Sequence, residues 1–291
     1  MVKNMLKEKI LILGSKGLLG TAIEKVCEER TEEYLGLSHK DLDISDKSQL
    51  EKKIDEYSPR IIINSAAMMG ISPCEENPQK AFEINTVSAL NLTKICQKRS
   101  IALVQISSNS IFDGKKGELY FEDDVPNPQN IYGLSKYAGE ICVQNNLSSH
   151  YIIRLSKLFG SRRNKTPGFV DKMIDLMKEG RELKIAEDRI DTFTYSMHAA
   201  RKILSLLESH VPFGIYHVAN KGSTSYYDFV CRFAEKIRYT GKITRAKDRD
   251  FPASAPNPLR VELGSEKISN MPSWEEALEE YVSEEREKLG F

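Results

Sequence analysis

The sequence lacks the features that mark several large classes of protein. Its cysteines are few and widely spaced, and no CxxC motif occurs. This pattern argues against a disulfide framework and against a cysteine-based zinc site. We therefore expect no metal site, reduced and mostly buried thiols, and a cytoplasmic protein. The five cysteines are Cys27, Cys74, Cys96, Cys142 and Cys231.

Long apolar runs and a charge imbalance are also missing. The N-terminal apolar stretch, Ile10–Leu13, is shorter than the roughly 7–15 residues of a signal-peptide core. No apolar run approaches the ~20 residues that a membrane-spanning helix needs. The 42 Lys and Arg residues balance the 42 Asp and Glu residues. We therefore expect no nucleic-acid partner and no membrane partner.

What the sequence does contain is an alternation of strand-like and helix-like segments. This βαβα order predicts an α/β fold, a Rossmann-type doubly wound parallel sheet. The predicted strands are Lys9–Leu13, Tyr34–Leu37, Ile61–Ser65, Ile101–Ile106, Tyr151–Leu155, Leu183–Ile185 and Gly214–Val218. The predicted helices are Leu18–Glu29, 45–57 with Ser45 or Asp46 as the cap, Pro78–Lys98, Asn130–Leu147, Thr166–Glu179, Met197–Ser209, Tyr226–Thr240 and Trp274–Lys288.

The alternation also predicts how the 291 residues are divided. Residues 1–160 are regular and predict a Rossmann domain that binds a dinucleotide and carries the catalytic residues. Residues 161–291 are less regular and predict mainly a smaller substrate-binding lobe, with some segments returning to the main sheet. Three prolines predict an irregular loop at Asp250–Leu259.

A glycine loop (residues 14–20, GSKGLLG) joins the first predicted strand to the first predicted helix. Gly14, Gly17 and Gly20 give the spacing GxxGxxG. Glycines permit a tight turn and a close approach to a pyrophosphate, which the positive N-terminus of the helix then attracts. We therefore predict a dinucleotide site that also includes Leu18 and Leu19 of the helix.

The end of the second predicted strand bears on the choice of cofactor. A site that prefers NAD usually has Asp or Glu there, bonded to the ribose 2′-hydroxyl. Here no acid occupies Ser38 or His39, and the next residue is the basic Lys40. Lys16 in the glycine loop adds a second positive charge. The sequence therefore predicts NADPH (NADP⁺), with NADH as the alternative.

Tyr132 and Lys136 form a YxxxK motif within a predicted helix. Residues four apart lie on one helix face, so both side chains can act on one bound molecule. Free tyrosine titrates near pH 10, and a general acid works best near the operating pH. A lysine ammonium and a cationic nicotinamide ring are expected to lower the tyrosine pKa.

The motifs together resemble the dTDP-4-dehydrorhamnose reductase-like family of extended short-chain dehydrogenases/reductases. The resemblance covers nearly the whole chain and rests on both the glycine loop and the YGLSK sequence at 132–136. Further matching segments are DLDISD at 41–46, INSAA at 63–67, FEIN at 82–85, SSNSIFDG at 107–114, YFEDD at 120–124, FGIYHVAN at 213–220, SYYDF at 225–229 and WEEAL at 274–278.

The resemblance implies a nucleotide-sugar substrate and a role for each matching position. Ser108 would polarise the substrate carbonyl, Tyr132 would donate the proton, and Lys136 would orient the nicotinamide ribose. The implied activity is NADPH-dependent reduction of a nucleotide-linked 4-ketosugar in deoxysugar or polysaccharide biosynthesis. Whether the protein forms a homodimer is left open. Asp43 and Ile44 would flank the adenine, and Ala66 and Ala67 would line the diphosphate and ribose side of the cofactor groove.

The sequence departs from the family pattern where the substrate is expected. Asn109 and Ser110 replace an Asp-Tyr pair, and Lys157 stands where the family often has tryptophan. Phe193-Thr194 replaces a Pro-Thr pair, and the segment 255–258 lacks the family's arginines. These positions put dTDP-4-dehydrorhamnose itself in doubt as the substrate, and they leave the sugar, its stereochemistry and any metal dependence open.

Two alternative functions remain. A sugar-nucleotide epimerase or dehydratase has the same fold, although a dehydratase normally needs an acid where this chain has Asn109. The second alternative is a non-catalytic NADP-binding subunit that resembles the regulatory β subunit of methionine adenosyltransferase. The presence of Ser108, Tyr132 and Lys136 favours catalysis over this alternative.

Overall fold

The computed structural model describes residues 8–163 and 167–285. The strands of these residues are β1 Ile10–Leu13, β2 Tyr34–Leu37, β3 Ile61–Asn64, β4 Ala102–Ser108, β5 His150–Leu155, β6 Lys157–Phe159, β7 Leu183–Ala186, β8 Ile190–Asp191, β9 Phe193–Tyr195, β10 Gly214–Val218, β11 Thr224–Ser225 and β12 Ile243–Ala246. The α-helices are α1 Leu18–Arg30, α2 Lys47–Tyr57, α3 Ile71–Glu76, α4 Pro78–Phe82, α5 Ser88–Arg99, α6 Ile131–Asn146, α7 Phe169–Lys178, α8 Ser196–Glu208, α9 Tyr226–Lys236 and α10 Trp274–Glu284.

The centre of the fold is a six-stranded sheet in the order β10-β5-β4-β3-β1-β2, with every neighbouring pair parallel. From β1 the chain passes to β2 on one side and then to β3 on the other. Ligands of open α/β sheets bind beyond the carboxyl ends of the strands at such a reversal. The predicted doubly wound α/β fold is confirmed, and it directs attention to the ends of β1 and β3.

The sheet is buried on both faces, which explains why its strands are continuous apolar runs. In β1, Ile10 and Ile12 face a core that includes residues of α1 and α8. Leu11 and Leu13 face the opposite core, formed with residues of α2, α5 and α6. Strand β10 and helix α8, both from the second half of the chain, therefore belong to the main sheet and its cover.

One predicted helix is interrupted. The prediction of a continuous helix over Pro78–Lys98 is wrong in detail, because a π-helical turn at Glu83–Val87 separates α4 from α5. The turn contains Asn85, which is buried. Single π turns within helices are frequent at functional sites because they redirect a side chain.

The second half adds three small sheets: β6 with β9, β7 with β12, and β8 with β11. Of their strands the sequence predicted only β7, as Leu183–Ile185. All six strands have two to four residues, which is too short for a readable alternation. The irregular loop predicted at Asp250–Leu259 contains only the last residue of a 3₁₀ turn. Thr166 and Lys288, the predicted ends of two helices, lie outside the described residues. No helix in the described ranges is long and apolar enough to cross a membrane.

Candidate active site

The loops that follow β1 and β3 meet at the reversal of the sheet. Gly14 has a φ of 79°, and a Cβ at this position would lie 2.7 Å from the backbone nitrogen of Ala66. Gly14 is therefore required both for its left-handed backbone and for the close approach of the two loops. Ala66 and the adjacent Ala67 are half-buried beside the glycine loop, at the predicted side of the groove.

The glycine loop delivers an open helix end to this position. A Cβ on Gly20 would lie 2.3 Å from the carbonyl oxygen of Gly14, so the helix can begin here only with glycine. Gly17 is the N-cap of α1, which has no side-chain cap and no acid in its first turn. The first amides of a helix, here those of Leu18 and Leu19, have no acceptor within the helix.

The open end of α1 differs from the starts of four other helices. Helices α2, α6, α9 and α10 are capped by Asp46, Asn130, Ser225 and Ser273, whose side chains each accept a backbone N–H of the first turn. The start of α1 keeps its donors for another acceptor. The absence of a Cβ and the presence of free amides fit a dinucleotide diphosphate.

The end of β2 presents a mixture of charges. Ser38 is buried, and its backbone N–H and hydroxyl both donate to Oδ2 of Asp41, at 2.8 Å and 2.6 Å. These hydrogen bonds lower the pKa of Asp41. Asp41 is an acid that the sequence analysis overlooked. His39 and Lys40 are exposed, so the basic charge at this end of the groove is accessible.

Three other predicted cofactor residues differ in their surroundings. Lys16 lies 3.7 Å from Oε2 of the buried Glu24, so part of its charge is already neutralised by the protein. Exposed Asp43 accepts the backbone N–H of Ser45 at 2.9 Å, and Ile44 is buried in the core. We conclude that Lys40 is the freer of the two predicted cations.

The predicted catalytic residues come together at the carboxyl end of β4. Ser108 is the last residue of this strand, and its hydroxyl lies close enough to the phenol of Tyr132 on α6 to lower the pKa of that phenol. Lys136, one helical turn further on, donates from Nζ to the carbonyl oxygen of Ile106 at 2.6 Å. All three side chains are buried, with exposed fractions of 9%, 9% and 4%.

The electrostatics of this group differ from the expectation. Burial raises the pKa of Tyr132 to about 12, and the neighbouring Ser108 hydroxyl opposes this rise. Burial also lowers the pKa of Lys136 to about 8, against the opposing effects of Glu140 and Cys74. For the protein groups alone the pKa of Tyr132 is thus raised and not lowered, because desolvation outweighs the charges around it. The lowering predicted from the lysine together with a cationic nicotinamide ring stays a prediction.

Close backbone contacts hold α6 against the end of β4. A Cβ on Gly133 would lie 2.1 Å from the carbonyl oxygen of Ser110, so only glycine permits this approach beside Tyr132. Asn85 of the π turn donates to the Ser135 hydroxyl at 3.0 Å and accepts the N–H of Met68 at 2.9 Å. The sequence analysis missed Asn85 as a positioning residue, although it lies in the quoted segment FEIN.

Comparisons with known proteins identify the family of the chain. Residues 8–287 match the family described as "RmlD substrate binding domain". The chain belongs to this RmlD family. The predicted resemblance to extended short-chain dehydrogenases/reductases of the dTDP-4-dehydrorhamnose reductase type is thereby confirmed.

Three similar proteins illustrate how far the RmlD family likeness extends. The spore coat polysaccharide biosynthesis protein SpsK of Bacillus subtilis is 31% identical over 95% of this chain and 97% of its own. A dTDP-4-dehydrorhamnose reductase of Aggregatibacter actinomycetemcomitans is 30% identical over 93% of this chain and 97% of its own. The crystal structure of the Bacillus anthracis dTDP-4-dehydrorhamnose reductase in complex with NADP is 32% identical, with a TM-score of 0.90, over 96% of this chain and 100% of that chain.

The positions that depart from the RmlD family pattern have different roles in the structure. Phe193 is fully buried and stacks on Phe229 with ring centroids 3.8 Å apart, so the expectation that it faces substrate is wrong. Asn109 is also buried, and its Nδ2 donates to Oδ1 of Asp191 at 2.8 Å. Lys157 is half-buried beside the rings of Phe169 and Tyr226.

The loop predicted at Asp250–Leu259 lies next to a guanidinium group from another part of the chain. Arg189, which precedes β8, forms an ion pair of 2.7 Å with Asp248 and lies over the ring of Tyr226. Its side chain also meets that of Asn257 in the loop itself. The sequence analysis missed Arg189 because it is distant in sequence from the segment 255–258. Within residues 8–163 and 167–285, no group of three or more His, Cys, Asp and Glu side chains is arranged to hold a metal ion.

Proposed function

We propose that this protein is an NADPH-dependent reductase of a nucleotide-linked 4-ketosugar in deoxysugar or polysaccharide biosynthesis, with NADH as the alternative cofactor. The proposal rests on one observation: Ser108, Tyr132 and Lys136 lie together at the carboxyl end of β4. Strand β1, which the glycine loop follows, belongs to the same parallel sheet. It is supported by family relatives that are named dTDP-4-dehydrorhamnose reductases, one of them in complex with NADP.

The glycine loop is suited to holding the cofactor. Without Cβ atoms at Gly14 and Gly20, the diphosphate can approach the open end of α1 closely. Exposed Lys40 would attract the 2′-phosphate that distinguishes NADPH. Lys136 would bond the nicotinamide ribose. When bound, NADPH supplies a hydride for the carbonyl carbon of the sugar.

Ser108 and Tyr132 would then act on the carbonyl oxygen. The Ser108 hydroxyl would donate a hydrogen bond to this oxygen and polarise it, and Tyr132 would give its proton to the developing alkoxide. A pKa of about 12 keeps the phenol protonated at neutral pH, which is the state that reduction requires. The charge of Lys136 would stabilise the phenolate once the proton has left.

We extend the proposal to the organisation and location of the protein. Residues 1–160 would bind the cofactor and carry the catalytic residues, and residues 161–291 would mainly bind the nucleotide-sugar. Five free cysteines support a reducing, cytoplasmic environment. The partner would be a small nucleotide-sugar, with no nucleic acid and no membrane.

The proposal is tested by mixing the purified protein with NADPH and a panel of nucleotide-linked 4-ketosugars, with dTDP as the blank. The panel includes dTDP-4-dehydrorhamnose, dTDP-4-keto-6-deoxyglucose and a UDP-linked 4-ketosugar. We expect NADPH to be consumed with at least one ketosugar, and more slowly with dTDP-4-dehydrorhamnose than with that sugar. Tight NADPH binding without consumption on any ketosugar would support the regulatory subunit, and sugar conversion without net NADPH consumption would support the epimerase.

A further inference from the structure

A pair of opposite charges lies beside the catalytic serine and has no role in the mechanism above. Asp191, at the end of β8, is only 6% exposed. Its Oδ1 accepts hydrogen bonds from Nδ2 of Asn109 at 2.8 Å and from the backbone N–H of Thr192 at 2.9 Å. Asn109 follows Ser108 directly in the chain. The carboxylate is therefore anchored one residue from the group that would contact the substrate carbonyl.

The other carboxylate oxygen of Asp191 is available. Among the described residues, no hydrogen-bond donor reaches Oδ2. Oδ2 of Asp191 keeps some exposure to solvent. Oε2 of the neighbouring Glu262, in contrast, has no hydrogen-bond partner among the described residues and is sealed from solvent. Buried carboxylate oxygens are normally hydrogen-bonded, because losing water without a replacement is costly. An open lone pair at this depth is what a ligand hydroxyl would occupy.

The ammonium group of Lys157 likewise has donors that are not used within the described part of the chain. Nζ of Lys157, on β6, lies 5.5 Å from the centroid of the Phe169 ring and 5.3 Å from that of the Tyr226 ring. It makes no hydrogen bond and no ion pair within the described part of the chain. Asp191 acts on Lys157 electrostatically without touching it. The rings position the ammonium and leave its donors free.

The strands fix where these two groups lie. Strand β6 pairs with β9 in parallel, and the Ser156 hydroxyl donates to the carbonyl oxygen of Thr192, which follows Asp191. The segments of Lys157 and Asp191 are therefore joined side by side. An ammonium offers only donors, and a carboxylate above its pKa, which is about 7 for Asp191, offers only acceptors. A hydroxyl can accept from the first and donate to the second at the same time.

We infer that Lys157 and Asp191 together bind a ring hydroxyl of the sugar next to the reacting carbonyl, and that they select ketosugars that retain this hydroxyl. The inference rests on the proposed reductase function and specifies its substrate as a ketosugar that carries this hydroxyl. It also gives a physical reason for the charged residue at position 157, where a flat apolar ring would offer stacking but no hydrogen bond.

The test uses Lys157→Met and Asp191→Asn in the full-length protein with NADPH. The substrates are dTDP-4-keto-6-deoxyglucose and its 2-deoxy and 3-deoxy counterparts. Each variant should raise KM for the fully hydroxylated sugar by about 10- to 100-fold, with a smaller change in kcat, because a charge-assisted hydrogen bond is lost. For the 3-deoxy sugar, which lacks the hydroxyl next to the C4 carbonyl, the wild type and the variants should have nearly the same kcat/KM, and the 2-deoxy sugar should behave like the fully hydroxylated one. Lys157→Arg should keep part of the discrimination.

The controls separate recognition from damage. Exposed Lys184 and Asp175 provide Lys184→Met and Asp175→Asn, which should behave like the wild type. The affinity for NADPH should be unchanged in all variants, which also verifies that each one is folded. An equal loss on all three sugars would overturn the inference, because it would indicate a purely structural role, and so would variants that keep the KM and the discrimination of the wild type. A wild type that reduces no ketosugar would overturn the proposed function, and this inference with it.

Discussion

The two ends of the candidate site are built in different ways. The cofactor end consists of backbone: Gly14 and Gly20 leave no room for a side chain, and α1 presents uncapped amides. The substrate end consists of charged side chains, with Lys157, Asp191 and Arg189 around a small group of aromatic rings. The first end depends on shape and the second on charge, so the two should respond to different substitutions.

This difference also separates recognition of the cofactor, which is common to many enzymes, from recognition of one particular sugar. A diphosphate is common to every dinucleotide, and a glycine turn before a helix suffices to hold it. A sugar differs from other sugars in its hydroxyl groups, and only placed donors and acceptors can read them. We therefore expect substitutions at the cofactor end to affect every substrate, and substitutions at the substrate end to affect some substrates more than others.

The largest effect is expected at the junction of the two ends. Tyr132→Phe removes the proton donor and keeps the ring, so kcat should fall by roughly 10²–10⁴. The affinity for NADPH should change little, because the phenol does not hold the phosphates. Stopped-flow absorbance and fluorescence titration measure the two quantities.

A matched control for this substitution is Tyr57→Phe at the end of α2. The Tyr57 hydroxyl is buried without a hydrogen-bond partner among the described residues, so its loss should leave kcat unchanged. A Tyr132→Phe protein that keeps full kcat would show that the phenol takes no part in the chemistry. It would not contradict the fold or the cofactor site.

The next effect tests the dependence of the cofactor end on shape. Gly20→Ala places a methyl group 2.3 Å from the Gly14 carbonyl oxygen, so the loop must move. We expect the affinity for NADPH to fall by more than about 10-fold, equivalent to ~1.4 kcal/mol. Thermal unfolding and fluorescence titration should both register the change.

Gly180→Ala separates strain from site geometry. Gly180 has a φ of 67°, but a Cβ there would meet nothing within 4 Å. This variant should lose about 1 kcal/mol of stability from backbone strain and keep its affinity for NADPH. Unchanged NADPH binding in Gly20→Ala would show that the glycine loop is only a tight turn.

A smaller effect is expected where charge enters the cofactor end. Lys40→Gln should reduce the preference for NADPH over NADH by about 10-fold or less, because one exposed charge near a phosphate contributes on the order of 1 kcal/mol. Lys16→Gln should have less effect, since Glu24 already neutralises part of that charge. Titrations with both cofactors at two salt concentrations measure the preference. A wild type that binds NADH as tightly as NADPH contradicts the assignment of Lys40.

The last effect concerns stability, and not activity, at the substrate end. Burial raises the pKa of Asp191 to about 7, against the opposing charge of Lys157, with Glu262 raising it further and Arg189 lowering it. The folded protein therefore keeps a proton that the unfolded chain releases. The stabilisation is fully present below the unfolded pKa of about 3.8 and is lost as the pH rises to about 7.

Urea unfolding of the wild type and Asp191→Asn between these pH values tests this dependence. The free energy of unfolding of the wild type, relative to the variant, should decrease by up to about 4 kcal/mol as the pH rises, because the pKa is raised from 3.8 to about 7 and each pK unit corresponds to ~1.36 kcal/mol. A difference that stays constant with pH would mean that Asp191 titrates normally.

The same contrast explains how much of the molecule the sequence could predict. The parallel sheet followed from buried runs such as Ile61–Asn64, and the approach of Tyr132 to Ser108 followed from a motif and a resemblance. The YxxxK motif is local, so Tyr132 and Lys136 are neighbours in the chain as well as in space, whereas Ser108 was assigned through the resemblance. The uncapped start of α1 was likewise predictable from the glycine spacing.

The resemblance put Asn109 and Lys157 among the expected substrate positions, but their association with Asp191 could not be predicted, because the three residues are distant in sequence. Asn109, Lys157 and Asp191 meet only through the pairing of strands with two or three residues, which carry no readable periodicity. The burial of Phe193 and the raised pKa of Tyr132 were missed for a related reason. Both depend on how completely surrounding segments exclude water, and a sequence does not specify that exclusion locally.

The most direct test of the proposed function follows the hydride itself. The protein is incubated with NADPH carrying deuterium at the transferable C4 position of the nicotinamide, together with the best ketosugar of the panel. We predict that the product contains one deuterium on the former carbonyl carbon of the sugar, detected by NMR and mass spectrometry. A sugar product without deuterium, or NADPH that keeps its label with every ketosugar, would contradict the assignment of this protein as a reductase.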